Sequence, residues 1–233
     1  MLKNLYIISE GRTECNFIKY VLYEYLINFN WNTIPLNNNG WSRSHPYRNA
    51  IQKIEKFILT HKHDVHTTFF DLYGFPKDIP CYEQAKALTS PYDKARLYEQ
   101  QIKQDISELC RDDPSYNENL FIPYIQPYEF ESFLFIDPRC SAHNLVSEDE
   151  TKAELLEFEI RKISSGFDTP EHINDSPEKA PSKRIAKLVP GFVKNKAGKA
   201  GFSWRIAQNV GIQNIRHTCR YFNEWVSLIE LYK

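Results

Sequence analysis

Short apolar runs alternate with amphipathic helical patterns over the first half of the chain, and this alternation restricts the fold more than any other feature. The apolar runs have the length and the β-branched or aromatic content of buried strands. In chain order, the predicted elements are strand 5–9, helix 13–28, edge strand 33–36, helix 47–61, strand 65–70, helix 92–110 and strand 119–126. This order is typical of an α/β fold in which helices flank a mostly parallel central sheet.

The second half of the chain has a different pattern, without further alternating strands. Helices are predicted at 147–163, 181–188, 202–210 and 216–231, and a loop at 189–201. In the first half, residues 75–89 are also predicted to be a loop. Ser147 and the acids that follow it suit the start of the first of these helices. We therefore predict an α/β core over residues 1–140 and a helical, basic C-terminal region over residues 141–233 that packs on the core.

Length and cysteine content exclude several classes of protein. A chain of 233 residues with 42% apolar content is long enough to bury a full core. Its five cysteines are scattered and contain no C-x-x-C pair, which argues against a disulfide framework and against a zinc site. The apolar run before Glu10 is too short for a signal sequence, and no stretch could span a bilayer. We expect a cytoplasmic protein that does not contact a membrane.

Basic residues are concentrated near the C-terminus. Of the 29 Lys and Arg residues, ten fall between Lys179 and Arg220, a segment that contains no Asp or Glu. A basic segment on an otherwise acidic chain suits a polyanionic partner, such as nucleic acid. The alternative is that this segment docks on the acidic surface of the same protein.

Carboxylates follow three of the predicted strands. Glu10 follows the first strand, with Glu14 one helical turn later, and Asp71 follows the strand at 65–70. Glu129 and Glu131 follow the strand at 119–126. The carboxyl ends of parallel strands meet at one edge of a sheet, so these groups are expected to converge. Glu129 and Glu131 point the same way if their segment is extended. If it is helical they diverge, and one of the two is then not part of the site.

Such a concentration of carboxylates is unfavourable without a cation. Neighbouring carboxylates repel one another, and burial strengthens the repulsion. Carboxylate oxygens are hard ligands, which suit Mg²⁺ or Mn²⁺. An ion that keeps open positions for water and phosphate supports phosphoryl-transfer chemistry.

The basic segment offers a complementary phosphate site. A helix that opens with Pro181 and Ser182 exposes backbone N–H groups next to Lys183 and Arg184. Lys183 is our candidate for stabilising charge that develops on phosphate. A second group of cations is expected either to cover nucleic acid or to form a solvated loop: Lys194, Lys196 and Lys199.

Several of these residues also carry a resemblance to known families. The run Ser9-Glu10-Gly11-Arg12-Thr13-Glu14 resembles the opening motif of Toprim domains, especially those of overcoming-lysogenization-defect nucleases. Asp71-Leu72-Tyr73-Gly74 is similar to their second, Asp-x-Asp motif, with Tyr73 where the second Asp would be. Three later blocks resemble a bacterial Toprim-like family, domain of unknown function 4276: the residues 126–135, the blocks at 173–175 and 180–184, and Phe222-Asn223-Glu224-Trp225.

That resemblance implies a Toprim-like sheet with a metal-dependent acidic site. Glu10 would act as general acid/base or as a metal ligand, Asp71 would bind the metal, and Glu129 and Glu131 would supply further ligands. Glu14 would contact these ligands and help to position them without binding the metal itself. Members of the family are often encoded beside an ATPase and are suspected of roles in phage defence, so an ATPase partner is expected.

Two functional hypotheses follow. The first is a Mg²⁺- or Mn²⁺-dependent nuclease that hydrolyses phosphodiester bonds of DNA or RNA, acting with an ATPase in anti-phage defence. The second is a non-catalytic Toprim-like subunit that binds nucleic acid or the ATPase. Tyr73 favours the second hypothesis, and the clustered Glu129 and Glu131 favour the first.

Overall fold

The chain forms two compact units, Met1–Gln126 and Pro127–Lys233. The structure, a computed structural model, describes residues 2–39, 41, 44–146, 149–174, 176–192 and 203–232. The division lies earlier in the chain than the boundary predicted after residue 140. The aromatic segment that follows Pro127 belongs to the core of the second unit, where the ring of Phe133 meets that of Phe222 edge to face at 5.2 Å.

A parallel sheet forms the centre of the first unit. Its strands are β1 (Lys3–Ser9), β2 (Trp31–Asn37), β3 (Val65–Asp71), β4 (Phe121–Ile122) and β5 (Ile125–Gln126). They are ordered β2-β1-β3-β4, and β5 also pairs with β3. All seven residues of β3 are buried, as expected for a central strand. The predicted α/β class with a parallel sheet is confirmed, and the arrangement is consistent with a Toprim-like fold.

Helices cover both faces of this sheet. They are α1 (Arg12–Phe17), which continues through a π-helical turn (Ile18–Leu22) into α2 (Tyr23–Leu26) and a 3-10 turn (Ile27–Phe29), then α3 (Pro46–Thr60), α4 (Tyr82–Ala87) and α5 (Pro91–Cys110). Phe17 of α1 packs against Phe69 on one face. Phe57 of α3 packs against Tyr6 and His66 on the other face. The region 75–89, predicted to be a loop, contains α4.

Strand β2 forms one edge of the sheet, as its proline predicted. Among the described strands it pairs with β1 alone. Asn38 donates its N–H to the Ser9 carbonyl at 2.9 Å. Because alternate residues of a parallel strand bond to the same neighbour, Pro35 directs its nitrogen away from β1. A proline there costs the sheet no hydrogen bond and leaves the outer edge poorly suited to pairing.

The strand predicted at 119–126 is divided. A 3-10 turn (Glu118–Leu120) precedes β4, and Pro123 separates β4 from β5. Thr68 replaces the missing ladder bonds, because its hydroxyl accepts the Tyr124 N–H at 2.8 Å and donates to the Tyr124 carbonyl at 2.7 Å. The pairing with β3 therefore resumes at Ile125.

The second unit is helical, as predicted for most of the C-terminal region. Its helices are α6 (Pro138–Leu145), α7 (Glu150–Ser164), α8 (Pro181–Leu188), α9 (Ser203–Val210), α10 (Ile212–Thr218) and α11 (Arg220–Leu231), with 3-10 turns at Phe130–Phe135, Pro170–His172 and Pro177–Lys179. No helix within the described ranges is long and apolar enough to cross a membrane.

Two boundaries in this unit differ from the sequence prediction. Helix α7 begins at Glu150, and the side chain of Asp149 caps it by accepting the Lys152 N–H at 3.0 Å. The predicted start at Ser147 lies outside the described residues. The single helix predicted at 216–231 is two helices, because Cys219 has extended backbone angles (φ −104°, ψ 93°).

Candidate functional site

The carboxyl ends of β1 and β3 form the candidate site of the first unit. The chain moves from β1 to one side of the sheet to form β2, and then to the other side to form β3. In open α/β sheets, ligands bind at such a reversal, outside the carboxyl ends of the two strands. Ser9 lies opposite Phe69 in the β1–β3 register. Glu10 follows β1 directly and Asp71 ends β3, so adjacent strands bring both carboxylates to this edge.

The Glu10–Glu14 turn is shaped by its glycine. Gly11 is the N-cap of α1, and a Cβ atom at this position would lie only 3.1 Å from the Glu14 Oε2 atom. The Glu14 carboxylate therefore folds back over the turn, where its side chain is only 4% exposed. The turn places a second, buried carboxylate within one helical turn of Glu10.

A cysteine that sequence reasoning missed borders this turn. The Cys15 Sγ lies 3.0 Å from the Ser9 Oγ, at the end of β1. Burial raises the pKa of the Cys15 thiol, the Ser9 hydrogen bond partly opposes this, and the charge of Glu14 raises the pKa further. Because these influences together favour the protonated thiol, Cys15 adds no negative charge beside the acids at neutral pH.

Asp71 is held inside the first unit rather than on a solvated turn. Its side chain is 3% exposed. The next residue, Leu72, donates its N–H to the Gln126 carbonyl at 3.0 Å. The Gln126 side chain accepts the Tyr124 hydroxyl proton at 2.6 Å. This network fixes the strand end that carries Asp71, while Tyr73 and Gly74 (φ +80°) lead the chain away.

Glu129 and Glu131 lie in the second unit, in a helical segment. Tyr128 has a left-handed backbone (φ +57°), and Glu129, which is extended, precedes the 3-10 turn Phe130–Phe135. Glu131 lies inside that turn. Of the two predicted arrangements, the segment is therefore helical beyond Glu129. Both side chains are buried, with exposures of 2% for Glu129 and 0% for Glu131.

The carboxylate of Glu129 binds the start of α8. Its Oε2 accepts the Ser182 backbone N–H at 2.8 Å, and its Oε1 accepts the Ser182 hydroxyl proton at 3.0 Å. The N-terminus of α8, predicted to bind phosphate, thus holds an anion of the same chain. Lys183 beside it is exposed to solvent.

The other predicted phosphate-binding residues have different surroundings. Arg184 donates from Nε to the Lys179 carbonyl at 2.7 Å, and its guanidinium lies over the Phe167 ring at 5.4 Å. Both contacts reduce its freedom to bind a phosphate. Lys194, Lys196 and Lys199 lie outside the described residues.

Sequence reasoning also missed a buried acid in the second unit. Glu171 is fully buried and accepts the backbone N–H groups of Tyr221 (3.0 Å) and Phe222 (2.9 Å), at the start of α11. Its role parallels that of Glu129 at α8. No local sequence signal reveals this contact, because the partners are about fifty positions apart in the chain.

Two arginines of the basic segment are neutralised within the second unit. The guanidinium of Arg216 binds both carboxylate oxygens of Glu230 and also contacts Asn223. Arg220 pairs with Glu224 at 2.9 Å. Both arginines therefore pair with acids of α11, within the second unit.

The fit of a metal ion depends on how many ligands the protein must supply. Within the described ranges, no group of three or more His, Cys, Asp or Glu side chains could hold a metal ion. Mg²⁺ commonly binds one or two carboxylates and completes its shell with water and phosphate. Glu10 and Asp71 are two carboxylates at one sheet edge, which is the number and type of protein ligand that such an ion commonly takes.

Comparison with known proteins gives a family without an assigned activity. No curated protein and no solved structure matches the chain. The similarity to Toprim domains of nucleases therefore stays a prediction. One family model covers residues 9–230, which is nearly the whole chain. The chain belongs to the family described as a domain of unknown function, DUF4276.

Proposed function

We propose that this protein is a Mg²⁺- or Mn²⁺-dependent nuclease that hydrolyses phosphodiester bonds in DNA or RNA. One observation carries the proposal: Glu10 and Asp71 come from adjacent strands, β1 and β3, at the point where the sheet order reverses. This is where open α/β sheets bind their ligands. Two acids at such a point favour a cation, and the cation in turn favours a phosphate substrate.

Burial strengthens the case for a cation. Asp71 and Glu14 are 3% and 4% exposed. Ionised carboxylates lose hydration on burial and repel one another, so a pair at one sheet edge is costly unless a positive charge compensates. A divalent ion provides that charge, and when bound it polarises a phosphate and lowers the pKa of its water.

Each residue then has a distinct role. Asp71 binds the metal, and Glu10 either binds the metal or moves a proton to or from the reacting groups. Of Glu129 and Glu131, only one keeps the ligand role that the resemblance implies, because the segment is helical beyond Glu129. Lys183 offsets negative charge on the phosphate. Exposure of Lys183 to solvent supports this role, since its ammonium group is accessible to a substrate.

The biological setting belongs to the same proposal. We propose that the enzyme acts with an ATPase encoded nearby, in bacterial defence against phage. The support is the resemblance of the sequence blocks described above to families with such neighbours.

A second candidate function is a non-catalytic subunit that binds nucleic acid or the ATPase. Two observations favour it. Tyr73 occupies the place of the second acid of the Asp-x-Asp motif. In addition, both carboxylate oxygens of Glu129 already accept hydrogen bonds from Ser182, as those of a purely structural helix cap would.

The experiment compares two aspartates at opposite ends of the same strand. Purified protein is incubated with plasmid DNA and with total tRNA, with and without Mn²⁺. Asp71→Asn removes the proposed ligand at the carboxyl end of β3. Asp64→Asn is the matched control, because Asp64 precedes β3 and accepts a hydrogen bond from Asn4 of β1 at 3.2 Å.

The nuclease proposal expects Mn²⁺-dependent cleavage that falls about 100-fold in Asp71→Asn and persists in Asp64→Asn. The substrate that is cleaved identifies the preferred nucleic acid. Absence of cleavage by the wild-type protein, alone and with the neighbouring ATPase, would instead support the non-catalytic subunit. Equal activity in both variants would show that the β1–β3 edge is not the active site.

A further inference from the structure

A partly exposed tryptophan, Trp41, lies near the carboxyl end of β3. Its ring packs on the rings of Phe70 and Phe75, with centroids 5.1 and 5.0 Å apart. Phe70 directly precedes Asp71 in the chain. The indole therefore contacts the immediate neighbour of a proposed metal ligand.

The segment that carries Trp41 crosses the edge of the sheet. Asn38, which follows β2, donates its N–H to the carbonyl of Ser9, the last residue of β1, at 2.9 Å. Strand β1 lies between β2 and β3, so the chain that leaves β2 passes β1 before the indole meets Phe70. Trp41 thus shares this edge with the proposed site.

The packing of Trp41 differs from that of a tryptophan fixed in a core. Its two ring contacts are edge contacts, with interplanar angles of 61° and 64°, rather than parallel stacks. Buried tryptophan N–H groups usually have a hydrogen-bond partner, whereas the Trp41 Nε1 has none among the residues that the structure describes. No described hydrogen bond of the indole N–H therefore holds this ring in place.

The charge of the same segment suits a nucleic acid strand. Residues 25–54 contain three Lys or Arg residues and no Asp or Glu. One of the three, Arg48, is exposed in the first turn of α3. The N-terminus of α3 is already capped, because Asp78 accepts the Tyr47 N–H at 3.1 Å. A phosphate at this edge would therefore meet the Arg48 side chain rather than the helix backbone.

We propose that Trp41 stacks on a base of a single-stranded nucleic acid and that Arg48 contacts its phosphate backbone, so that the strand is held beside Glu10 and Asp71. The inference rests on the proposed function for its class of substrate, and it adds the residues that bind the strand. Aromatic side chains stack on bases of any sequence, because every base has a π face. Such stacking requires an unpaired base, which is why the substrate is single-stranded.

Strand geometry separates the base from the acids. Successive residues of a strand point to opposite faces of the sheet. Phe70 therefore faces the same side as His66, which packs on α3, and Asp71 faces the same side as Phe69, which packs on α1. A base on Trp41 lies on the α3 side, and the strand crosses the sheet edge to bring a phosphate to the carboxylates.

The test compares two labelled strands of about 12 nucleotides, oligo-dT and an abasic strand of the same length, by fluorescence anisotropy in EDTA. Trp41→Leu removes the aromatic face and Trp41→Phe keeps one. Phe29→Leu is the matched control, because Phe29 is 40% exposed and precedes β2, at the opposite end of that strand. Arg48→Gln is matched by Lys56→Gln, an exposed cation nearer the other end of α3.

The proposal expects the wild-type protein, Trp41→Phe and Phe29→Leu to bind oligo-dT about tenfold more tightly than the abasic strand. Trp41→Leu should bind both strands equally. Arg48→Gln should weaken both strands alike and reduce the slope of log affinity against log salt by about 0.7, whereas Lys56→Gln should keep the wild-type slope. Because each ratio compares two strands on one protein, a partial loss of folded protein does not change it.

Three results would overturn the inference: a preference for oligo-dT that persists in Trp41→Leu, an equal loss of preference in Phe29→Leu, or no binding of either strand by the wild-type protein. Mn²⁺-dependent cleavage is measured separately on the same proteins. Base-dependent binding through Trp41 without any cleavage would support the inference and overturn the nuclease. Cleavage by the wild-type protein together with an unchanged preference in Trp41→Leu would overturn the inference alone.

Discussion

His66 should make the stability of the first unit fall as the pH falls. The side chain is 1% exposed, and its ring stacks on that of Tyr6 at 5.5 Å and meets the edge of Phe57 at 5.8 Å. Burial is the main reason that the pKa of His66 is lowered to about 4, and neighbouring His61 lowers it further, against an opposing effect of the Asp64 backbone. The folded protein therefore keeps this imidazole neutral at pH values where an unfolded chain would charge it.

The size and the direction of the effect follow from the two pKa values. An unfolded histidine has a pKa of about 6.5, whereas the folded value is about 4. One pKa unit corresponds to about 1.4 kcal/mol, so the difference amounts to about 3 kcal/mol of unfolding free energy. Because the folded pKa is the lower one, this stability is fully present above about pH 6.5 and is lost as the pH falls towards 4.

The assay is urea denaturation of the wild-type protein and of His66→Phe at several pH values between 7.5 and 4. Phenylalanine preserves an aromatic ring and cannot be protonated. The wild-type protein should lose about 3 kcal/mol more unfolding free energy than His66→Phe over this range. The exposed His217 provides the control, since His217→Gln should follow the wild-type curve. Parallel curves for wild type and His66→Phe would refute the reasoning.

Two further substitutions separate structural from functional acids. Gly11→Ala places a Cβ 3.1 Å from the Glu14 Oε2, and calorimetry should show weaker Mn²⁺ binding. Because alanine is a poorer helix cap than glycine, denaturation should also show a loss of about 1 kcal/mol in unfolding free energy. Unchanged Mn²⁺ affinity would contradict this prediction. In Glu171→Gln, one of the two carboxylate oxygens that accept backbone N–H groups becomes an NH₂ donor. Denaturation should show a loss of about 2 kcal/mol in unfolding free energy, while nucleic-acid cleavage persists. Loss of cleavage in Glu171→Gln equal to that in Glu129→Gln would show that both acids are only helix caps.

Local patterns explain why much of the fold could be predicted. Strand β3 is rich in β-branched and aromatic residues, and its burial on both faces follows from that content. Pro35 alone predicts that β2 is an edge strand, because a proline cannot donate a hydrogen bond to a neighbouring strand. Helix α8 begins at Pro181 and ends at Leu188, as predicted, because proline suits the first turn of a helix.

The differences arise where long-range contacts override local patterns. Residues 119–126 have the composition of one strand, yet Pro123 interrupts the ladder, and only the distant Thr68 allows it to resume. The chain divides after Gln126, whereas the predicted boundary followed residue 140, and the run Phe130–Phe135 lies between the two positions. In the structure this run packs on Phe222, about ninety positions away.

The candidate site shows the same division. Glu10 and Asp71 could be identified from strand ends, because the position of an acid after a buried strand is a local property. The partners of Glu129 and Glu171 could not, since Ser182 lies 53 positions from Glu129 and Phe222 lies 51 positions from Glu171. A single sequence contains no signal for such pairs.

Calorimetric titration of Mn²⁺ into the wild-type protein, Asp71→Asn and Asp64→Asn, without substrate, tests the central claim most directly. The account predicts a saturable site in the wild-type protein that is retained in Asp64→Asn and is lost or weakened about 100-fold in Asp71→Asn. Binding that is equal in all three proteins, or absent from the wild-type protein, would contradict a metal site at the carboxyl ends of β1 and β3.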